Sequence, residues 1–267
     1  MSKVRLDLLL CDKGYYNSRE KAKAAIMSGE VYINNVCLEK AGTLVKEDSF
    51  IEIKENKNPF VGRGGLKLKR ALDIFNINLK NKIFLDIGAS TGGFTDCLLK
   101  NGAQKVYAID VGYGQLDYSL RIDERVVVLE RTNFRYLDPD TINEKADGFV
   151  MDVSFISILK LVDHLKNFLK KNSFGIILIK PQFESSKEQI EKKGIIKNAS
   201  THKNILNNVA KVLVEKDYFI RNMTYSDIKG AKGNIEFLFY VTFNQEDTIS
   251  DLDKKIQETV DAAHSEL

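Results

Sequence analysis

The chain predicts an α/β protein: a doubly wound, mostly parallel sheet with crossover helices, preceded by a small basic module of mixed helix and strand. Three observations carry this expectation. Phe84-Leu85-Asp86-Ile87 runs straight into the glycine turn Gly88-Ala89-Ser90-Thr91-Gly92-Gly93, after which Phe94, Leu98 and Leu99 recur at helical spacing. Short continuous apolar runs then alternate with amphipathic stretches, as parallel strands buried on both faces and their crossover helices require. Charge is also uneven: residues 1–82 hold 16 Lys and Arg against 10 Asp and Glu, and the remainder holds 24 against 27. A basic third on a near-neutral body suggests that this third meets a polyanion.

A chain of 267 residues can bury a substantial core, in one large domain or in a small one plus a medium one. No stretch approaches the roughly 18 apolar residues of a membrane span. Leu8-Leu9-Leu10, flanked by Asp7, Asp12 and Lys13, is too short and too charged for a signal peptide. Cys11, Cys37 and Cys97 fit no paired redox or metal motif, and the three His are widely spaced. The expectation is a reduced, cytoplasmic protein with no membrane segment and no metal site.

Within residues 1–54, Arg5 to Leu10 opens a short helix that ends near Gly14. Ser18 caps a second helix from Arg19 to Met27, closed by Gly29. Ala22, Ala25 and Ile26 supply its apolar face, while Arg19 and Lys23, four apart, share another. Val31-Tyr32-Ile33 reads as a strand, Asn34-Asn35 as a turn and Phe50 to Ile53 as a closing strand. Residues 55–62 read as a linker, and a second domain spans 63–267. Its further strands are Lys105 to Ile109, Val126 to Leu129, Gly148 to Met151, Gly175 to Ile179, Tyr218 to Ile220 and Ile235 to Phe243. Helices are expected over 158–169, 201–216 and 251–263.

A strand, a glycine turn and a helix N-terminus in that order form a cofactor cradle. The dinucleotide spacing G-x-G-x-x-G is absent because position 90 is Ser, and no Lys enters the helix as a phosphate-gripping loop would need. Asp110 ends the next strand 22 residues past Gly88, near the roughly 20-residue offset of a ribose-binding acid. Together these suggest a nucleoside-type ligand without a pyrophosphate, with S-adenosylmethionine as the leading candidate.

Four polar residues stand out. Asp152 and Lys180 each follow an apolar strand, where open α/β sheets build their sites, although singly they could cap a helix or face solvent. Glu236 interrupts an apolar strand, where a carboxylate is costly unless paired, and a Lys is its natural partner. Lys67 enters the helix that precedes the glycine-loop strand.

Two resemblances add to this reading. Arg5-Leu6-Asp7 together with Ser18-Arg19 through Asn34 resembles the RNA-binding module of ribosomal protein S-four type, which implies RNA contacts by Arg5, Arg19 and Lys23. Six further motifs run through the body of the chain: Gly62-Arg63-Gly64-Gly65-Leu66-Lys67, Asp86 to Phe94, Asp110 to Leu116, Glu130-Arg131-Thr132-Asn133, Asp152 to Ser157 and Lys180 to Glu184. With Gly233 to Glu236 they make the chain similar to the TlyA family of ribosomal RNA ribose 2′-O-methyltransferases. That resemblance implies a Rossmann-like class I methyltransferase sheet, its late strands an antiparallel hairpin, behind a small N-terminal α+β RNA-binding domain. It implies S-adenosylmethionine as cofactor, held by Gly88, Ala89, Ser90, Gly92, Gly93, Phe94, Asp110, Asn133 and Asp152.

By the same resemblance Lys67, Asp152, Lys180 and Glu236 form a catalytic tetrad, with Lys180 central and oriented by Asp152 and Glu236. Lys67 would help to position the substrate, and Arg63 joins the RNA contacts. Lys180 would act either as base or as electrostatic stabiliser. The implied substrate is a cytidine ribose in ribosomal RNA or a ribosomal subunit. Two other readings stay in view: a membrane-acting cytolysin, since family members carry haemolysin labels, and a catalytically silent RNA-binding assembly factor.

Overall fold

The computed structural model describes residues 3–27, 29–38, 40–54, 58–186, 194–230 and 233–267. Its contacts divide the chain into Met1–Arg63 and Gly64–Leu267. Of the expected linker, residues 55–57 lie outside the described residues, and 58–62 fall with the first unit.

The first unit runs β1 (Lys3–Arg5), α1 (Leu6–Asp12), α2 (Arg19–Met27), β2 (Val31–Ile33), β3 (Val36–Cys37), β4 (Leu44–Lys46) and β5 (Ile51–Ile53). Ser18 caps α2 as expected, its Oγ accepting from the Lys21 amide at 3.2 Å. Asn34 and Asn35 take φ of 49° and 65°, the left-handed pair that turns a tight hairpin between β2 and β3. β5 pairs on the other side of β2, and β1 pairs with β4. Leu6, Leu10, Ala22, Ile26 and Val31 are fully buried in a core of their own. The short strands β1, β3 and β4 add to those expected from the sequence.

The second unit begins with α3 (Gly64–Phe75), β6 (Ile83–Ile87), α4 (Gly93–Lys100), β7 (Lys105–Ile109), α5 (Tyr118–Arg121), β8 (Val126–Leu129) and β9 (Ala146–Met151). It continues with α6 (Val162–Leu165), β10 (Leu169–Ile179), α7 (Pro181–Glu184), α8 (Ala199–Glu215), β11 (Phe219–Tyr225), β12 (Phe237–Thr242) and α9 (Leu252–Glu266). The sheet order is β11-β12-β10-β9-β6-β7-β8. β6 to β10 are mutually parallel, and β12 inserts antiparallel between β10 and β11. The chain winds outward from β6 through β7 to β8, then returns to β9 on the other side of β6. The strand order therefore reverses between β6 and β9.

One expected helix is broken up. Residues 158–169 form a 3-10 turn (Ile158–Lys160), α6, a second 3-10 turn (Lys166–Phe168) and the first residue of β10. Its apolar residues still face inward, since Ile158, Leu161, Val162, Leu165 and Phe168 are all buried. Tyr218 donates to Val162 O at 2.6 Å, a carbonyl that a continuous helix would use, and Lys145 donates to Asn167 O near its end. Periodicity reports the buried face, and tertiary donors decide the backbone.

Candidate active site

At the reversal point the exits of β6 and β9 lie side by side, the place where open α/β sheets build ligand crevices. The Asp152 amide donates to Ile87 O at 2.9 Å. Gly88, at φ +88°, touches this crossing so closely that a Cβ would collide with the Asp152 carbonyl oxygen. Gly92 stands at φ +94° immediately before α4, where a Cβ would strike Leu120. Ala89 and Phe94 are buried, Gly93 opens α4, and Ser90 is exposed at φ +52°.

Asp110 closes the other wall at the end of β7. Its Oδ2 accepts from the Ser90 amide at 2.8 Å and its Oδ1 from the Gly112 amide at 2.7 Å. Each oxygen keeps a lone pair for a further donor such as a ribose hydroxyl. Thr132, beside Asn133, donates its amide to Asp110 O at 2.9 Å, and Asn133 Oδ1 accepts from the Arg135 amide at 3.1 Å. A bare crossing, a carboxylate with spare lone pairs and an exposed loop suit a nucleoside ligand. Beneath the loop, the wholly buried Asp86 accepts from Thr95 Oγ1 at 2.6 Å. Burial pushes its carboxyl up to about 7; hydrogen bonds from Thr95 oppose this, and the charges of Asp152 and Asp110 add to it.

All four tetrad candidates lie near this end of the sheet, in two ion pairs. Lys180 Nζ stands 2.5 Å from Asp152 Oδ1 and donates to Ser154 Oγ at 2.9 Å. Burial alone would raise the Asp152 carboxyl, but the charges of Lys180 and then Lys67 outweigh it and hold it below the usual carboxylate range. Lys67 Nζ donates to Glu236 Oε2 at 2.6 Å, with Lys67 9 % and Glu236 2 % exposed. Glu236 thus takes Lys67, rather than Lys180, as its ion-pair partner. It also lies just before β12 rather than inside it. Register still sets the two side by side: Ile179 faces Phe237 in the ladder, so one step further places Lys180 opposite Glu236. The helix α3 brings Lys67 in to claim the carboxylate.

The structure adds residues that spacing did not reveal. Gly230 is approached so closely by Glu236 Oε1 that no side chain fits there. Glu184 accepts from Ser157 Oγ at 2.5 Å and from the Ile158 amide at 3.0 Å, tying the β9 exit loop to the β10 exit loop. Between these ties Phe155, 86 % exposed at φ +64°, sets its ring 5.2 Å from that of Phe183. An exposed aromatic held in a left-handed backbone is a costly arrangement that folding alone does not require.

In the first unit, Arg5 and Arg19 converge on one buried carboxylate, Asp7. Lys23 is half-buried one turn along α2, and Arg63 packs its side chain against Gly29. Among the described residues there is no cluster of three His, Cys, Asp or Glu that could hold a metal ion, and no helix long and apolar enough to cross a membrane.

Comparison with known proteins agrees with this architecture. Residues 60–243 match the FtsJ-like methyltransferase family and residues 4–51 the S4 domain. Hemolysin A of Brachyspira hyodysenteriae is 44 % identical over 88 % of this chain and 98 % of its own. The 16S/23S rRNA (cytidine-2'-O)-methyltransferase TlyA of Mycobacterium tuberculosis is 36 % identical over 99 % of this chain and 98 % of its own. A solved structure from Streptococcus thermophilus, 39 % identical, covers 100 % of this chain and 97 % of its own with a TM-score of 0.78.

Proposed function

The chain belongs to the FtsJ-like methyltransferase family, and from that premise we propose that it methylates the 2′-hydroxyl of a cytidine ribose in ribosomal RNA. The observation that carries this is the Lys180–Asp152 pair, set at the strand ends beside the glycine loop. The cofactor is S-adenosylmethionine, whose chemistry when bound is an electrophilic methyl on a sulfonium. Gly88 to Phe94 would lie along it, Asp110 would take the ribose hydroxyls, and Asp152 would face the methionine part.

A ribose hydroxyl is a poor nucleophile near neutral pH, so in-line alignment supplies much of the acceleration. Asp152 stays ionised across the neutral range and holds the Lys180 side chain in place 2.5 Å away. Lys180 then donates to the 2′-oxygen and stabilises the negative charge that develops on it. Bound there, the cofactor would supply the methyl to that oxygen and keep the electron pair of the broken carbon–sulfur bond on its sulfur. The hydroxyl proton, acidic once the oxygen–methyl bond begins to form, leaves to water. The exposed Phe155 ring, tilted 49° to that of Phe183, offers a face on which a nucleobase can stack. The first unit binds RNA through Arg5, Arg19 and Lys23, which implies a cytoplasmic site of action.

The test incubates purified protein with methyl-labelled S-adenosylmethionine and ribosomal RNA lacking its own modifications. Label should appear in 2′-O-methylcytidine after nucleoside digestion and fall at least a hundredfold in Lys180→Ala. Unchanged transfer in that variant, or label on a base, overturns the reading. The lytic reading carried by the Brachyspira relative's name predicts instead red-cell lysis that survives Lys180→Ala.

A further inference from the structure

We propose that Asp7 is a positioning residue that locks Arg5 and Arg19 into one preorganised fork for an RNA phosphodiester. The inference rests on the RNA-substrate reading above and adds the device that makes it work.

Asp7 is wholly buried and is the only charged residue buried among the described residues of the first unit. Its Oδ1 accepts from Arg5 Nε at 3.0 Å and from the Leu8 amide at 3.1 Å. Its Oδ2 accepts from Arg5 Nη2 at 2.9 Å and from Arg19 Nε at 2.8 Å. Arg5 thus grips the carboxylate with two parallel bonds, the geometry that fixes a guanidinium in plane as well as in place. Arg5 ends β1 and Arg19 begins α2, so one acid gathers cations from two elements.

The arginines are not used up by this. Each side chain remains 43 % exposed. Of five N–H donors per guanidinium, Arg5 retains three and Arg19 four. Both oxygens of Asp7 are occupied on the inner side, so the surface presents guanidinium donors rather than acid. Holding two long side chains in one geometry before the ligand arrives removes an ordering cost that free arginines would meet on binding. An acid whose role was only to balance charge could sit at the surface; this one lies beneath both cations and touches each.

Charge and position make opposite forecasts. Asp7→Asn removes a negative charge from an RNA-binding face, so charge counting expects tighter binding. The fork expects binding about tenfold weaker, as preorganisation is lost. Binding of the full-length protein to an unmodified 23S ribosomal RNA transcript is measured for wild type, Asp7→Asn, the pair Arg5→Lys with Arg19→Lys, and the triple variant.

Lysine keeps the charge but cannot form the fork. The Lys pair should therefore also lose about tenfold, and Asp7→Asn should cost nothing further in that background. Should Asp7→Asn unfold the first unit, the Lys pair carries the test alone, because Asp7 stays in place there. Wild-type affinity in the Lys pair, tighter binding by Asp7→Asn, or additive losses in the triple variant would each overturn the proposal. Failure of the underlying reading looks different: Arg5→Ala with Arg19→Ala would leave RNA binding unchanged.

Discussion

Lys67→Met should destabilise the methyltransferase unit more than Glu236→Met, and the double variant should recover much of the loss. The two groups meet at 2.6 Å, and Glu236 is 2 % exposed. At an effective dielectric of about 20 their gross attraction is on the order of 6 kcal/mol. Desolvation offsets much of this, so the pair contributes little net stability, yet breaking it strands a buried charge at about 3–5 kcal/mol. The asymmetry follows from the surroundings. Lys67→Met leaves the buried Glu236 carboxylate with only Lys180 in reach, a cation already paired to Asp152, so the cost stays near the full case. Glu236→Met leaves Lys67 within electrostatic reach of Asp152, which should reduce the cost to about 2–3 kcal/mol. For a unit of this size the larger loss lowers the melting temperature by about 10 °C. Replacing both ions with apolar side chains removes the stranded charge, and such replacements are often near neutral. Differential scanning calorimetry on the four proteins decides it. Equal losses in both singles, or a double variant as unstable as Lys67→Met, would refute the pairing as the source of the cost.

Three further outcomes are expected. Phe155→Gly should weaken RNA binding about five- to a hundredfold, the range for one stacked base, while raising stability by about 1 kcal/mol through relief of the left-handed backbone; unchanged affinity in a gel-shift titration would exclude stacking. Glu184→Ala should lower kcat about tenfold or more with cofactor affinity unaltered, because it frees the Ser157–Ile158 segment. Glu184→Gln, whose carbonyl still accepts, should keep most of the rate, and equal loss in both would argue against a tethering role. His202, buried against Phe237 beside His264, is lowered from 6.5 to about 4 by burial and then by the His264 charge. The unfolded chain therefore binds the extra proton first, and about 3 kcal/mol of stability is lost as pH falls from 6.5 to 4. Urea titrations across that window should show the step in wild type and lose it in His202→Leu; an unchanged step would assign it elsewhere.

The strands and the strand-end residues were legible because burial on both faces writes continuous apolar runs, and a polar residue that stops such a run stands out. Asp152 and Lys180 announce themselves this way, and Glu236 by interrupting one. Pairing was not legible: Lys67 and Glu236 are 169 residues apart and meet only through α3 and β12. Asp7 was invisible for a related reason. An acid in the first turn of a short helix is ordinary there, and only the fold drops this one beneath two arginines. Ser154 and Phe155 belong to a loop and Glu184 ends the single turn of α7, segments whose bonds carry no period. Residues 158–169 fail in the opposite direction, since an inward-facing period of three to four suits a 3-10 turn as well as an α-helix.

The two ion pairs constrain one another, and this separates two roles for Lys67. Register places Lys180 opposite Glu236, so Lys180 has two carboxylates within reach of its segment and needs to point at only one. By occupying Glu236, Lys67 leaves Asp152 as the partner of Lys180. Lys67→Met frees Glu236 to compete for Lys180, and methyl transfer should fall with it. Glu236→Met added to that variant removes the competitor, and Lys180 returns to Asp152. If Lys67 acts only by holding Glu236, the double variant regains rate as well as stability. If Lys67 also contacts the RNA, stability returns and the rate does not. A double variant slower than Lys67→Met alone would fit neither role, and competition between the carboxylates would have to be abandoned.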